Sequence, residues 1–289
     1  MPHIYHNFFN AKLRYLEQSF ITNFKFFVNS AFKYIYFYKF ILFEKYLVNY
    51  SIKNNRWIVK ILITNDDGID SAGISALADE MKKIGDVTVV APRTEQSAVG
   101  HAITMKIPLR VTEYFKDGEF FGYAVEGTPA DCVKIGIRNI MKTKPDIVIS
   151  GINNGSNTAI NIIYSGTVSA AREAAIMDVP SIAISVTSHA AKNFQFAAKI
   201  SKALSLLVIK NGLPNGTLLN VNVPDLPENQ IVGIKLTRQG KSKWDDIYEE
   251  RIDPYGKKYY WLTGNLIETD NDLNTDQFAI KNNYVSVSP

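Results

Sequence analysis

Ile58-Val-Lys-Ile-Leu-Ile-Thr64, followed at once by Asn65-Asp66-Asp67-Gly68, decides the fold. A short run rich in β-branched residues and apolar at nearly every position reads as a strand buried on both faces. The polar, glycine-closed tetrapeptide reads as a loop. Downstream, Ser71 caps a helix predicted over Ala72–Ile84, where Ile74, Leu77, Ala78 and Met81 recur at helical spacing. Asp86-Val-Thr-Val-Val-Ala91 is a second buried strand, closed by Pro92. Strand, helix and strand in this order call for a parallel sheet with right-handed crossovers.

The alternation continues. Thr128-Pro129 is a cap followed by proline at the first helical position, with Asp131 in the positive first turn, and the helix is expected to run to about Lys142. Asp146–Ser150 is a third buried strand and leads into Gly151-Ile-Asn-Asn-Gly-Ser-Asn157. An Ala-rich helix over Thr167–Met177, a strand over Pro180–Val186, a long helix over residues 190–210 and a strand over Leu218–Val223 follow. Beyond about Pro224 the chain turns to longer β segments rich in Tyr, Trp and charge, and Asn283–Ser288 alternates like a closing strand. This divides the chain into residues 1–57, an α/β core over 58–225 and a smaller β-rich part over 226–289.

Residues 1–57 differ in texture. They hold about half of the chain's aromatic residues, no Gly and one Pro, with eight Lys/Arg against two Glu. Lys25, Lys33 and Lys39 interrupt any membrane-length apolar run, and a small-residue cleavage site is missing. Three readings stay open: a non-native extension from an upstream start, an interfacial aromatic and basic helix, or an anchor. The rest of the chain holds 24 Lys/Arg against 26 Asp/Glu, so it lacks the basic excess of a nucleic-acid-binding surface. No stable nucleic-acid or membrane partner is expected. Cys132 is the only cysteine, which excludes an internal disulfide and suits a reducing, cytoplasmic setting.

In open α/β sheets, ligands bind beyond the carboxyl ends of the strands. Three such ends carry polar clusters: Asn65–Gly68, the loop Pro92–Thr104, and Gly151–Asn157. Gly68 permits a turn that lets the adjacent Asp66 and Asp67 face one point. Two carboxylates so close repel unless a proton or cation sits between them, and a hard divalent ion with oxygen ligands answers that need. Asn-Asp-Asp-Gly is equally a good solvated turn. Ser97 and Asn153 would add neutral oxygens and leave coordination positions open. Zinc fits poorly, because its usual Cys and His ligands are scarce.

Tyr164-Ser-Gly-Thr-Val168 precedes a helix, so its backbone N–H groups with Ser165, Gly166 and Thr167 can bind an anion, or Ser165 can serve as an ordinary cap. His101, four residues after Ser97, could donate a proton to a leaving oxygen, or be structural. Glycine-rich nucleotide loops, a nucleophile elbow and zinc spacings are missing. A haloacid-dehalogenase-type phosphatase needs a second Asp two positions after its nucleophile, where this chain has Gly68 and Ile69.

Five stretches then resemble one family: Ile61–Gly68, Val89–Pro92 with Ser97-Ala-Val-Gly-His-Ala-Ile-Thr104, Gly127-Thr-Pro-Ala-Asp-Cys-Val133, Pro145–Gly155 with Asn157, and Tyr164-Ser-Gly-Thr-Val-Ser-Ala-Ala171. Thr275-Asp276 and Tyr284–Pro289 extend the match, which covers the chain from about Ile58 to its end. The chain resembles the SurE survival protein family, a group of 5′(3′)-nucleotidases. The resemblance implies a Rossmann-like, mostly parallel sheet with helices on both faces and a β-rich C-terminal part exchanged between subunits of a homodimer or homotetramer. It implies one Mg²⁺ or Mn²⁺ per subunit on Asp66, Asp67, Ser97 and Asn153. Nucleoside monophosphates, and sometimes short polyphosphate, are the implied substrates. On the reading of the residues themselves, Asp66 or Asp67 is expected to orient or deprotonate the attacking water and His101 to donate a proton to the leaving oxygen. Asn65, Gly155, Asn157, Ser165, Gly166 and Thr167 are the expected phosphate contacts. Arg93 stands where many members have Asp, and Ala98 where Gly is usual. The rival reading is a non-catalytic module on the same fold that senses metal and nucleotide. For assembly, the terminal strand needs a sheet edge to pair with and the aromatic segments from Lys243 to Leu262 look too apolar for a solvated hairpin, so a partner subunit is expected to satisfy both.

Overall fold

The computed structural model describes residues 59–270 and 272–289. The aromatic stretch 1–57 and its three readings lie outside the described residues. Nine strands form one sheet in the order β3-β4-β2-β1-β5-β6-β7-β11-β8. Next to its centre lies β1 (Lys60–Thr64), flanked in parallel by β2 (Asp86–Pro92) and β5 (Ile147–Asn154), and β5 is followed by β6 (Ser181–Val186) and β7 (Leu219–Val223). β1 explains the layering. Ile61 and Ile63, both fully buried, pack with Ile74, Leu77 and Met81 of α1 (Ala72–Met81) and with α5 (Gln195–Asn211). Leu62 points the other way, to Cys132 and Val133 of α2 (Pro129–Ile135) and Ala170 and Ala174 of α4 (Gly166–Ile176). Each such side chain contributes roughly 1.5–3 kcal/mol relative to exposure. The whole span of β propensity is about 1 kcal/mol, so burial on both faces sets the register.

Helix starts follow local chemistry. Thr128 caps α2 in a reciprocal pair with Asp131, as the Thr-Pro signal indicates. The segment then widens into a π-helical turn over Gly136–Ile140, where the Met141 N–H bonds the Gly136 carbonyl at 2.9 Å, so the predicted helix to Lys142 changes character after Ile135. α1 ends at Met81, three residues short of the expectation, and α5 starts at Gln195 rather than 190.

A hairpin not anticipated between residues 105 and 127 adds two strands to the sheet: β3 (Val111–Lys116) and β4 (Glu119–Val125). Its turn, Asp117-Gly118, has φ of 52° and 84°, the left-handed pair that an Asp-Gly dipeptide favours.

The C-terminal part does not stop outside the core. β11 (Tyr284–Ser288) runs antiparallel to β7 and parallel to β8 (Gly233–Leu236), inside the same sheet. The expectation that a partner subunit supplies the sheet edge this strand needs is therefore corrected: β7 and β8 satisfy its backbone within one chain. The separate element is the two-stranded ribbon β9 (Ser242–Ile252) and β10 (Lys258–Glu268). Two short helices, α3 (Asn161–Tyr164) and α6 (Asp276–Lys281), complete the described residues.

Gly73 in α1 tests the packing of helix on sheet. A Cβ there would stand 2.1 Å from the carbonyl oxygen of Ile152 on β5. Gly→Ala in a helix ordinarily stabilises by about 1 kcal/mol. Here the clash reverses the sign, and Gly73→Ala is expected to lower stability by about 1–3 kcal/mol. A denaturant midpoint equal to or above the parent's would contradict this contact.

Candidate active site

The carboxyl ends of β1 and β5, the loop after β2 and the start of α4 meet at one place. Asn65 shapes the first turn: its side-chain amide donates to the Gly68 carbonyl and the Ser71 hydroxyl, both at 2.8 Å. Gly68 takes φ +95°, and the backbone of Thr94 and Glu95 packs against it at 3.4 Å from where a Cβ would be. The Gln96 N–H donates to the Asp66 carbonyl at 2.8 Å, so the residue before Ser97 is tied to the carboxylate pair.

Asp66 is buried against α4. The Thr167 hydroxyl donates to Asp66 Oδ1, and a Cβ on Gly166 would lie 2.8 Å from Asp66 Cβ. Asp67 faces β5, where the Asn154 N–H reaches its Oδ2 at 3.3 Å. Asn153 is beside it, with its side-chain nitrogen donating to the Gly155 carbonyl at 2.7 Å, which leaves its Oδ1 as an acceptor for another group. Ser97 is exposed, and its hydroxyl donates to Glu95 Oε1 at 2.5 Å.

Electrostatics mark the pair. Burial first, and the neighbouring Asp66 charge second, push the Asp67 carboxyl up to about 7. Burial also raises Asp66, against hydrogen bonds from Thr167. Glu95 raises both further, and among the described residues no cation offsets them. Sequence reasoning passed over Glu95 because a loop glutamate ordinarily reads as solvated. Among the described residues no cluster of three or more His, Cys, Asp or Glu could hold a metal. An ion here would therefore rest on two carboxylates and neutral oxygens, a donor set that fits hard Mg²⁺ or Mn²⁺ and not zinc.

The other expected residues separate into two groups. Ser165 caps α4, its Oγ accepting the Val168 N–H at 3.1 Å, so the ordinary-cap reading holds while its own proton stays available to another partner. Thr167 gives its hydroxyl to Asp66. Asn157 is buried and engaged internally: its side chain donates to Ser185 at 2.9 Å and its N–H to Asn222 at 2.8 Å. His101 Nε2 bonds Glu173 Oε2 at 2.8 Å. His189 carries no local motif that would single it out. A Cβ on Gly155, whose φ is +108°, would stand 2.3 Å from its ring, so the imidazole covers the loop that carries Asn153.

The two departures from the family pattern also have places. The Arg93 guanidinium bonds Thr112 on β3. Ala98 sits at φ +56°, a conformation costing an ordinary residue roughly 1–2 kcal/mol that Gly would not incur.

A family model described as "Survival protein SurE" matches residues 61–246. A 5′-nucleotidase SurE of Chlorobaculum tepidum is 51% identical over 229 residues, covering 79% of this chain and 87% of the relative. One from Syntrophobacter fumaroxidans is 51% identical over 231 residues, covering 80% and 92%. The crystal structure of the SurE protein from Aquifex aeolicus superposes with a TM-score of 0.69 at 43% identity, covering 80% of this chain and 92% of that one.

The raised Asp67 carboxyl has a measurable consequence. A folded-state value above the unfolded one means that the folded protein holds a proton more tightly. That stabilisation is complete below about pH 4 and is lost as the pH rises through about 7. In chelator, Asp67→Asn, which carries no charge, is expected to melt above the parent at alkaline pH, with the difference closing toward the acid end. A variant that melts lower at alkaline pH would contradict the repulsion. From the ordered motifs, the shared fold and the match over most of its length, this chain belongs to the SurE survival protein family.

Proposed function

We propose that the chain is a divalent-metal-dependent phosphomonoesterase that hydrolyses nucleoside 5′-monophosphates, and 3′-nucleotides and short polyphosphate by the same chemistry, to release phosphate. The observation that carries this reading is the Asp66–Asp67 pair at the carboxyl edge of the sheet, Asp66 buried and Asp67 half-buried, both carboxyls raised by desolvation. The name 5′-nucleotidase on relatives about half identical supports the substrate class. Asp66, Asp67, Ser97 and Asn153 would hold one Mg²⁺ or Mn²⁺ per subunit. When bound, such an ion supplies charge that neutralises the carboxylates and polarises a phosphoryl oxygen.

The chain's own groups do the rest. Asp66 or Asp67 orients the attacking water and takes its proton. The α4 N-terminus, with Gly166 N–H and the Ser165 hydroxyl, faces the phosphate oxygens, helped by the backbone around Gly155. Asn65 holds the carboxylate turn and Asn157 supports the loop from beneath, so both act on phosphate through backbone shape. His101 donates a proton to the leaving oxygen. The buried Cys132 thiol, pushed up by burial, is inert and suits the cytoplasm. Among the described residues no helix is long and apolar enough to cross a membrane.

The β9–β10 ribbon supports a homodimer or homotetramer. Ile247, Tyr248, Tyr260, Trp261 and Leu262 are each at least half exposed on it. A lone two-stranded ribbon is marginal in water, and an exposed aromatic patch of this kind marks an interface. We expect light scattering to give at least twice the 32.5 kDa chain mass, and excision of residues 242–268 to reduce it to one chain. Deleting residues 240–289 would instead destroy the sheet, since β11 lies inside it. A parent mass near 32.5 kDa would refute the assembly.

The activity is tested with nucleoside 5′- and 3′-monophosphates in Mg²⁺, Mn²⁺ or chelator. Multiple-turnover phosphate release, abolished by chelator, is expected. Stoichiometric binding without release would favour a sensing module, and release undiminished by chelator would remove the metal from the reaction.

A further inference from the structure

Glu173 lies in α4, only 5% exposed, with a different cationic or proton-carrying side chain on each carboxylate oxygen. Oε2 accepts His101 Nε2 at 2.8 Å, and Oε1 accepts Lys134 Nζ of α2 at 2.9 Å. A glutamate on a helix is ordinarily solvated, so burial at this point needs a reason. Lys134 alone would balance the charge, and the histidine goes beyond what neutralisation requires.

The backbone around His101 is fixed from both sides. The Gly100 N–H donates to the Tyr164 carbonyl at 3.1 Å, next to the cap of α4. The Thr128 hydroxyl donates to the Ala102 carbonyl at 2.7 Å, and the Thr104 N–H donates to Asp131 at 3.0 Å. What these bonds leave free is rotation of the imidazole, and Glu173 removes that freedom. With Nε2 held on the carboxylate, Nδ1 is the ring atom left for a substrate. The ring's side chain stays 28% exposed while its partner is 6% exposed, which suits a group held from behind and open in front.

We propose that Glu173 is the positioning residue for His101, fixing the tautomer and direction of the imidazole that protonates the leaving nucleoside oxygen. This rests on the proton-donor role of His101 given above. In the step, the oxygen of the attacking water forms a new P–O bond and its proton goes to Asp66 or Asp67, while the P–O bond to the nucleoside breaks and its electron pair goes to the leaving oxygen. The Nδ1–H bond of the imidazolium breaks, its proton forms the new O–H, and the ring ends neutral with Nε2–H still on Glu173. Lys134 remains as counter-charge to the carboxylate throughout.

The test uses the full chain with Mn²⁺ and two substrates: a nucleoside 5′-monophosphate, and p-nitrophenyl phosphate, whose phenolate departs at neutral pH without needing a proton. His101→Ala and Glu173→Gln are each expected to lower the ratio of nucleotide kcat to aryl phosphate kcat by about 10-fold or more, with KM for the nucleotide little changed. The double variant should be no worse than His101→Ala alone. Parallel loss on both substrates in Glu173→Gln, or additive losses in the double variant, would overturn the positioning role. A ratio unchanged by His101→Ala would overturn the proton-donor reading beneath it, and the two failures are thus distinguishable. Should Gln at position 173 prevent folding, Glu173→Asp shortens the support and is expected to lower the same ratio. An independent readout is nitrogen-15 NMR of the His101 ring in metal-free protein: a single Nε2–H tautomer is expected in the parent and a mixture in Glu173→Gln or Glu173→Asp. An unchanged tautomer in the variant would refute the inference.

Discussion

Two carboxylates on consecutive residues, held where water is largely excluded, repel each other, and the site is built around that repulsion. Asp66 is buried against α4 and Asp67 half-buried against the end of β5, and each is raised by desolvation before any neighbour acts on it. Such a pair is unfavourable alone and is kept only because the surrounding fold over-determines it. Three hydrogen-bonded supports do this. Asn65 closes the turn, Gln96 ties the β2 loop to the Asp66 backbone, and the Asn154 N–H meets Asp67. The stability of the core, with Ile61, Leu62 and Ile63 buried on both faces of β1, supplies the rigidity.

The same edge collects the groups that would face a phosphate in the proposed reaction. α4 begins at Gly166 against Asp66, so its N–H groups and the acidic pair lie side by side, and a cation on the pair would be shared with an anion on the helix. The β2 loop crosses above and is pinned again at Gly100, Ala102 and Thr104. Ala98, at a positive φ, lies between these pins, in a loop that carries both Ser97 and His101. Precision at this site therefore comes from several elements of the sheet, and no single element holds it.

Much of this was legible in the sequence. The run Ile58–Thr64 gave a central strand because apolar residues without alternation mean burial on both faces, and the Ser71 and Thr128 caps marked helix starts that the structure reproduces. The carboxylate pair was readable because Gly68 follows it. The β3–β4 hairpin was missed although Asp117-Gly118 signals it, because its strands mix exposed and buried positions and lack a clean alternation. The seat of β11 between β7 and β8 is a long-range pairing that periodicity does not encode. Glu95, Glu173 and His189 were hidden for the same reason: each acts through a residue distant in the chain, and the local sequence around it looks like solvated surface or helix.

The central claim is that Asp66 and Asp67 form a cation site whose charge is held in check by a proton when the cation is absent. Calorimetric titration of Mn²⁺ into chelator-stripped protein tests it directly, using two buffers of different ionisation enthalpy at about pH 6 and again at about pH 8.5. With the Asp67 carboxyl near 7, binding should release close to one proton per subunit at the lower pH and almost none at the higher, and Asp67→Asn should lose both the release and most of the affinity. Binding without proton release at the lower pH, or undiminished binding in Asp67→Asn, would contradict it.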